Sequence, residues 1–360
     1  MTACLFLAIM LIMTDQKMLP AEWQDQSGIL LTWPHKQTDF ASELTEVERV
    51  FCELAIAISQ YEHVVICSND EAHTSHIMNL LMQTSCKLEN IKLYPVPSND
   101  SWARDHGPIT ILKNDKPVLL DFKFNGWGDR YPYNLDNAIT AILSQQGAFN
   151  SELTLNSINY ILEGGSIESD GQGTILTTSQ CLLSASRNHN YKKTDVETVL
   201  KDLLGAERVL WLEHGQLLGD DTDSHIDMLA RFINADTLCY MTCKNKSDPH
   251  YDWLNNMKAE LEAFKTTNGN AYQLIELPLP NAILNPLGQR LPASYCNFLI
   301  TNKAVLVPIY DCLQDESAIK ILTECFPTHE IVPINCRALI EQHGSLHCVT
   351  MQLPMGVLVD

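Results

Sequence analysis

Short β-like apolar runs alternate along the chain with stretches whose apolar positions return every three or four residues. "SGILLTWP" and "HVVICS" read as strands. Between them, "SELTEVERVFCELAIAISQY" places Leu44, Val47, Val50, Phe51, Leu54 and Ile58 on one helical face, with Ser42 positioned to cap it. Further strands are expected in "ITIL", "KPVLLDFKF", "GTILTT", "ERVLWL", "TLCYMTC", "FLITNKAVLVPIY" and "EIVPI", and helices around 194–204, 252–265 and 315–325. No low-complexity linker interrupts the alternation, which is that of an α/β protein.

Five polar clusters stand between these elements: "NDSWARDHGP", "LEGGSIESDGQG", "GDDTDSHID", "LPASYCNF" and "HGSLHC". Marked by Asp105, Glu163, His225, Asn297 and Cys348, they are separated by 58, 62, 72 and 51 residues. Each gap has room for one strand–helix–strand unit. The spacing predicts five modules, each delivering one loop to a common centre.

Composition narrows the partners. The 360 residues are 45% apolar and 19% charged, which supports a sizeable core and argues against disorder. The formal net charge of -20 repels nucleic acid and anionic membranes and attracts small cations. Twelve cysteines form no compact paired framework and no CxxC; Cys239 and Cys243 are spaced CxxxC with no matching pair. A reduced cytoplasm is expected and a structural zinc site is not. The apolar start "MTACLFLAIMLIM" lacks the basic flank of a signal peptide and is too short to span a bilayer. Residues 1–17 are read as an extraneous or disordered extension, with translation beginning at Met13 or Met18, and 18–360 as one catalytic domain.

Candidate chemistry lies in the five clusters. Cys348 is a nucleophile only if its thiolate is accessible and stabilised; otherwise it is a small buried hydrophobe. If "HGSLHC" is extended, His347 points away from Cys348 and is a packed strand histidine. His225 is the better base, flanked by Asp220, Asp221, Asp223 and Asp227, and in an extended piece it shares a face with Asp227. The same acids could bind a hard cation, but EF-hand spacing is missing. Trp102 beside Asp105 can hold a planar cation; the ordinary alternative is an Arg104–Asp105 surface turn. In "EGG", glycines behind Glu163 allow a close backbone approach; alone they would be a plain turn. One thiol, one histidine and several acids suit attack on a guanidinium carbon.

Together "WARDHGP", "FNGWGDRYPYNLDN", "LEGGSIESDGQGTILTT", "DDTDSHID", "LPASYCNF" and "GSLHCVT", in this order, resemble the agmatine deiminase and bacterial-type peptidylarginine deiminase family. The resemblance runs from about Pro20 to Pro354. It implies a pentein, a five-bladed α/β propeller of ββαβ modules around a central active site. It implies Cys348 as nucleophile, His225 as general acid/base oriented by Glu163, and Asp105 and Asp227 as grips for the guanidinium nitrogens. Trp102, Asn297 and Asp221 are the further expected substrate contacts. No metal and no cofactor is implied, the partner is a small cationic guanidino substrate, and a homodimer is compatible. Ser224, Asp223 and Met351 depart from the residues common in relatives, and His343 and Ser345 interrupt a loop usually richer in glycine.

The reaction expected is hydrolysis of agmatine to N-carbamoylputrescine and ammonia through an amidino-cysteine. Peptidyl-arginine or free arginine are alternative substrates; an amidinotransferase and a non-catalytic binding pentein are the remoter readings. Agmatine is favoured because no paired arginines stand ready for a substrate carboxylate. Arg130 reads as a surface partner of Asp129.

Overall fold

The computed structural model describes residues 16–359. Five sheets follow one plan: two antiparallel strands, a helix, and a strand that returns parallel to the second. The first unit runs Ile109–Lys113, Lys116–Lys123, helix Ile139–Gln145 and Thr154–Ile161. The second runs Ile167–Ser169, Thr174–Thr178, helix Lys193–Leu204 and Arg208–Leu212. The third runs Ala230–Asn234, Thr237–Thr242, helix His250–Ala263 and Gln273–Pro278. The fourth runs Leu299–Ile300, Ala304–Ile309, helix Asp315–Cys325 and Glu330–Asn335. A parallel return requires a crossover, and in each unit the helix supplies it.

The fifth unit joins the two ends of the chain. Thr350–Pro354 pairs antiparallel with Gln26–Thr32, which leads through helix Leu44–Ser59 to the parallel strand His63–Ser68. Ile91–Pro95 extends this sheet, and Lys17–Met18 adds an edge strand to the first. The expected extension lies, through Asp15, outside the described residues.

Apolar spacing and burial agree on helix Leu44–Ser59: Val47, Val50, Phe51, Leu54 and Ile58 are buried, and Leu44 is half-buried. The cap is a correction. Glu43, not Ser42, occupies the N-cap, and the Ser42 hydroxyl donates to the Glu43 carboxylate instead. "FLITNKAVLVPIY" is two strands rather than one, folded back at 301–303, where Thr301 and Ala304 bond to each other.

Candidate active site

Each of the five marker residues sits just ahead of the first strand of a unit. Asp105 lies in the single turn Ala103–His106 before Ile109, and Glu163 before the turn Gly164–Ser166 that leads to Ile167. His225 precedes the turn Ile226–Met228, while Asn297 and Cys348 stand two residues ahead of their strands. The regular spacing is thus the repeat of the ββαβ plan, and all five residues are buried.

Their convergence depends on glycines. A Cβ on Gly165 would stand 2.6 Å from His225 Nδ1, 2.9 Å from Asp105 Oδ1 and 3.2 Å from Asp227 Oδ2. One on Gly344 would come within 2.1 Å of the Trp102 ring. Ser224 (φ 65°) and His343 (φ 70°) both adopt the left-handed backbone that glycine favours.

Around the thiol, Asn297 Nδ2 donates to Cys348 Sγ at 3.4 Å and to Asp227 Oδ2 at 3.2 Å, and Sγ lies 4.0 Å from Asp227 Oδ2. Asn297 Oδ1 accepts from the His347 and Cys348 amides. Asn297 was expected to touch substrate; its amide is instead engaged behind the thiol, and it does not line the cavity. Burial pushes the Cys348 thiol well above its ordinary pKa, and the carboxylates of Asp227 and Asp105 push the same way.

Asp105 accepts from the Gly165 amide and from Trp127 Nε1, both at 3.0 Å. Burial raises its pKa to about 6 against the pull of His225. The His225 ring lies between two acids, 3.6 Å from Asp105 Oδ1 through Nδ1 and 3.7 Å from Glu163 Oε2 through Nε2. Burial opposes its charged form, but Asp105, Cys181 and Glu163 outweigh burial and raise its pKa well above normal. Buried Arg187 donates to both oxygens of Glu163, at 2.9 and 2.8 Å, and keeps that carboxyl low despite its burial.

Glu163, Cys181 and His225 also form the one group of potential metal donors among the described residues, within 4.8 Å of one another. The Arg187 guanidinium already covers both Glu163 oxygens, which disfavours a second cation there. The acids of "DDTDSHID" do not converge on a cation site either. Asp220 accepts from Thr222 and Ser224, Asp221 from Tyr131, and Asp223 pairs with Arg130 and Arg187.

These groups open onto a cavity whose wall includes Cys348, His225, Asp105, Asp227 and Trp102. Asp221, expected in this role, lines it too, with its carboxylate held by Tyr131 OH at 2.7 Å. Asp39, Asp100, Asp220, Trp127, Tyr131 and His343 complete much of the wall, and of these Asp39, Asp100, Trp127 and Tyr131 were not singled out individually from the sequence. Burial, Asp39 and Asp136 raise the Asp100 pKa to about 8, and Asp100 accepts from Trp102 Nε1 at 3.0 Å.

Five local readings are corrected. "HGSLHC" is not extended: the chain turns there and the strand starts only at Thr350. His347 is consequently no packed strand histidine; its ring nitrogens meet Asp227 and Glu22. Arg104 is buried against Glu22 and Gln352 rather than lying in a surface turn. Arg130 pairs with Asp223 at 2.5 Å and with the Asp221 carbonyl, not with Asp129. His225 and Asp227 do converge, but through a 3₁₀ turn and not an extended piece.

Five ββαβ units that bring a thiol, a histidine and carboxylates to one buried cavity make this protein a pentein. Residues 18–354 match the family model for Porphyromonas-type peptidyl-arginine deiminase, and the chain belongs to that family. It is 30% identical to the agmatine deiminase of Medicago truncatula over 93% of this chain and 96% of that protein. It is 34% identical to a serine-for-cysteine form of the C. jejuni agmatine deiminase solved with substrate bound, with TM-score 0.87 over 95% of this chain and 97% of that one. A Porphyromonas gingivalis protein provisionally named arginine deiminase is 43% identical, with TM-score 0.90 over 95% and 100% of the two chains.

Proposed function

We propose that the protein is an agmatine deiminase that hydrolyses a guanidinium to a ureido group. The observation that carries this reading is the pairing of two buried carboxylates, Asp105 and Asp227, beside Cys348 in a cavity whose lining holds no lysine or arginine among the described residues. Carboxylates recognise the N–H pairs of a planar guanidinium.

The geometry supports the following roles. The substrate cation lies between Asp105 and Asp227, with Trp102 in the wall beside it. Its charge offsets the two acids that hold Cys348 as a thiol, so binding favours loss of the thiol proton to solvent and leaves a thiolate. The thiolate adds to the guanidinium carbon. Protonated His225 gives its Nδ1 proton to one nitrogen, the C–N bond breaks, ammonia leaves, and a cationic amidino-thioether remains on Cys348. Neutral His225 then takes a proton from water as the water adds to the same carbon. The C–S bond breaks, the hydroxyl proton is lost, and the ureido product and thiolate separate. Glu163, held by Arg187, faces the other ring nitrogen and orients the imidazole.

Selectivity for agmatine rests on the acidic wall. Asp39, Asp220 and Asp221 favour the lone ammonium of agmatine, while Arg130, the nearby guanidinium, is taken by Asp223. The carboxylate of free arginine would be buried without a partner, a cost on the order of a hundredfold. Purified protein is assayed with agmatine, arginine and an arginyl peptide, reading ammonia and ureido product. The expected kcat/KM for agmatine is at least about a hundredfold above that for arginine. Equal or faster turnover of the peptide would reassign the enzyme to peptidyl-arginine, and of arginine to the free amino acid.

The eleven described cysteines are free, which suits the reducing cytoplasm. None of the described helices is long and apolar enough to cross a membrane.

A further inference from the structure

The segment 126–131 touches two carboxylates of the cavity wall. Gly126, Trp127, Gly128 and Asp129 all adopt the left-handed backbone, at φ 61°, 55°, 94° and 60°. For Trp127 and Asp129 that conformation is uncommon and persists only where the surroundings fix it. They do so here. Asn125 Oδ1 accepts from the Gly128 amide at 3.0 Å, Asn125 Nδ2 donates to the Ser186 carbonyl at 3.0 Å, and the Arg130 amide donates to the Gly126 carbonyl at 3.1 Å. A Cβ on Gly126 would lie 2.5 Å from the Tyr131 carbonyl oxygen, so the turn closes tightly on itself.

At one end of the turn, Trp127 Nε1 donates to Asp105 Oδ2 at 3.0 Å. At the other, two consecutive residues hold Asp221. Tyr131 OH donates to its carboxylate Oδ2 at 2.7 Å. Arg130 Nη1 donates to its main-chain carbonyl, while Nη2 meets Asp223 Oδ1 at 2.5 Å. Asp221 is also the wall acid with an oxygen to spare. Both Asp100 oxygens are taken, by the Ser101 amide and Trp102 Nε1, and both Asp220 oxygens, by Thr222 and Ser224. Asp39 is exposed, where water weakens its pull on a cation. Among the described residues only Tyr131 bonds the Asp221 carboxylate, which leaves Oδ1 for an N–H of a bound cation. Burial raises the Asp221 pKa, and the Tyr131 hydroxyl is the largest of the groups that oppose the rise.

We propose that Tyr131 and Arg130 are positioning residues that hold Asp221 as the anchor for the substrate's terminal ammonium, at a spacing from Asp105 set by the left-handed turn that precedes them. Tyr131 aims the carboxylate and Arg130 pins the main chain behind it. One short segment thus ties the acid that grips the guanidinium to the acid that meets the amine. Neither residue takes part in the chemistry at Cys348. This deepens the agmatine reading and rests on it, because only a substrate with a free amine uses the anchor.

The test compares agmatine, as substrate, with butylguanidine, as competitive inhibitor. Butylguanidine keeps the guanidinium and the alkyl chain but has no amine. Tyr131→Phe removes one oxygen atom and keeps the ring in the wall. In the folded variant, checked by its thermal midpoint, the ratio of KM for agmatine to Ki for butylguanidine is expected to rise at least about fivefold, the weight of one hydrogen bond to a charged group. The loss on agmatine is expected in KM rather than in kcat. A smaller change in the ratio, including an equal weakening of both ligands, overturns the proposal, since a merely structural residue would affect both alike. If Tyr131→Phe does not fold, Arg130→Gln replaces it under the same criterion; the Arg130 side chain is 37% exposed, so its loss leaves the core intact. A wild-type enzyme idle on agmatine overturns the deiminase reading and this proposal with it. A wild type active on agmatine, with the ratio unmoved in the variant, overturns this proposal alone.

Discussion

Gly165→Ala tests whether the reacting groups converge as tightly as the structure places them. The backbone at Gly165 is not in the left-handed region, so the substitution adds a methyl group and little backbone strain. That methyl would sit 2.6 Å from His225 Nδ1 and 2.9 Å from Asp105 Oδ1. An ordinary carbon contact is about 3.5 Å, so one or both groups must move by roughly half an ångström to one ångström. Neither moves freely: His225 is 2% exposed and flanked by Glu163, and Asp105 is bonded to Trp127 and to the Gly165 amide. Overpacking of this kind costs about 1–3 kcal/mol of stability. A displacement near one ångström in reacting groups costs on the order of a hundredfold in rate. The measurement pairs kcat/KM on agmatine with the thermal unfolding midpoint. Gly147→Ala is the control: no atom lies within 4 Å of its added methyl, but its φ is +74°, so it should lose stability and keep kcat/KM. A Gly165→Ala enzyme with more than about a third of wild-type kcat/KM and an unchanged midpoint would show that the groups do not converge as described.

Four further outcomes follow from the same site. Cys348→Ala should abolish turnover while leaving the unfolding midpoint near wild type; activity above a few per cent, or an amidino adduct trapped on Cys296 or Cys336 in a His225→Ala enzyme, would remove Cys348 from its role. Because burial and two acids hold Cys348 as a thiol, its alkylation by iodoacetamide in the free enzyme should climb with pH to beyond about 9; a plateau near neutrality would show a resting thiolate. Asp105 must be ionised to hold the substrate, so kcat/KM should fall as pH drops through about 6, where its carboxyl takes up a proton; an acid limb near 4 would detach Asp105 from binding. Arg187→Met should cost about 3–5 kcal/mol by stranding Glu163 in the interior, and adding Glu163→Gln should restore much of that in a double-mutant cycle.

The five site loops were legible because the ββαβ plan repeats with near-constant length and places its polar loop at the same point each time. Helices around 194–204 and 315–325 were legible for the usual reason, apolar periodicity over several turns. Short strands such as Ile167–Ser169 were not, because three residues carry no period. The site was misread where the argument assumed a local conformation. His347 was placed on the far face of a strand that does not exist at that position, so its contact with Asp227, 120 residues away, could not be inferred. Glu22 and Arg187 carry no motif signal, since they act only through partners distant in sequence. Asp39 and Asp100 look like ordinary loop acids until the fold closes around them.

The fifth unit has a bearing on the timing of synthesis. Its sheet needs Thr350–Pro354 to pair with Gln26–Thr32, and Cys348 lies two residues before that closing strand. A nascent chain therefore holds four of the five site loops before it holds either the proposed nucleophile or the strand that seals the sheet. Until then Gln26–Thr32 keeps one edge open, a template for pairing with another chain. The closing strand and the proposed nucleophile therefore emerge together, after the other four loops. A chain cut short before Cys348 would lack both the sealing strand and the proposed nucleophile, and is expected to be inactive.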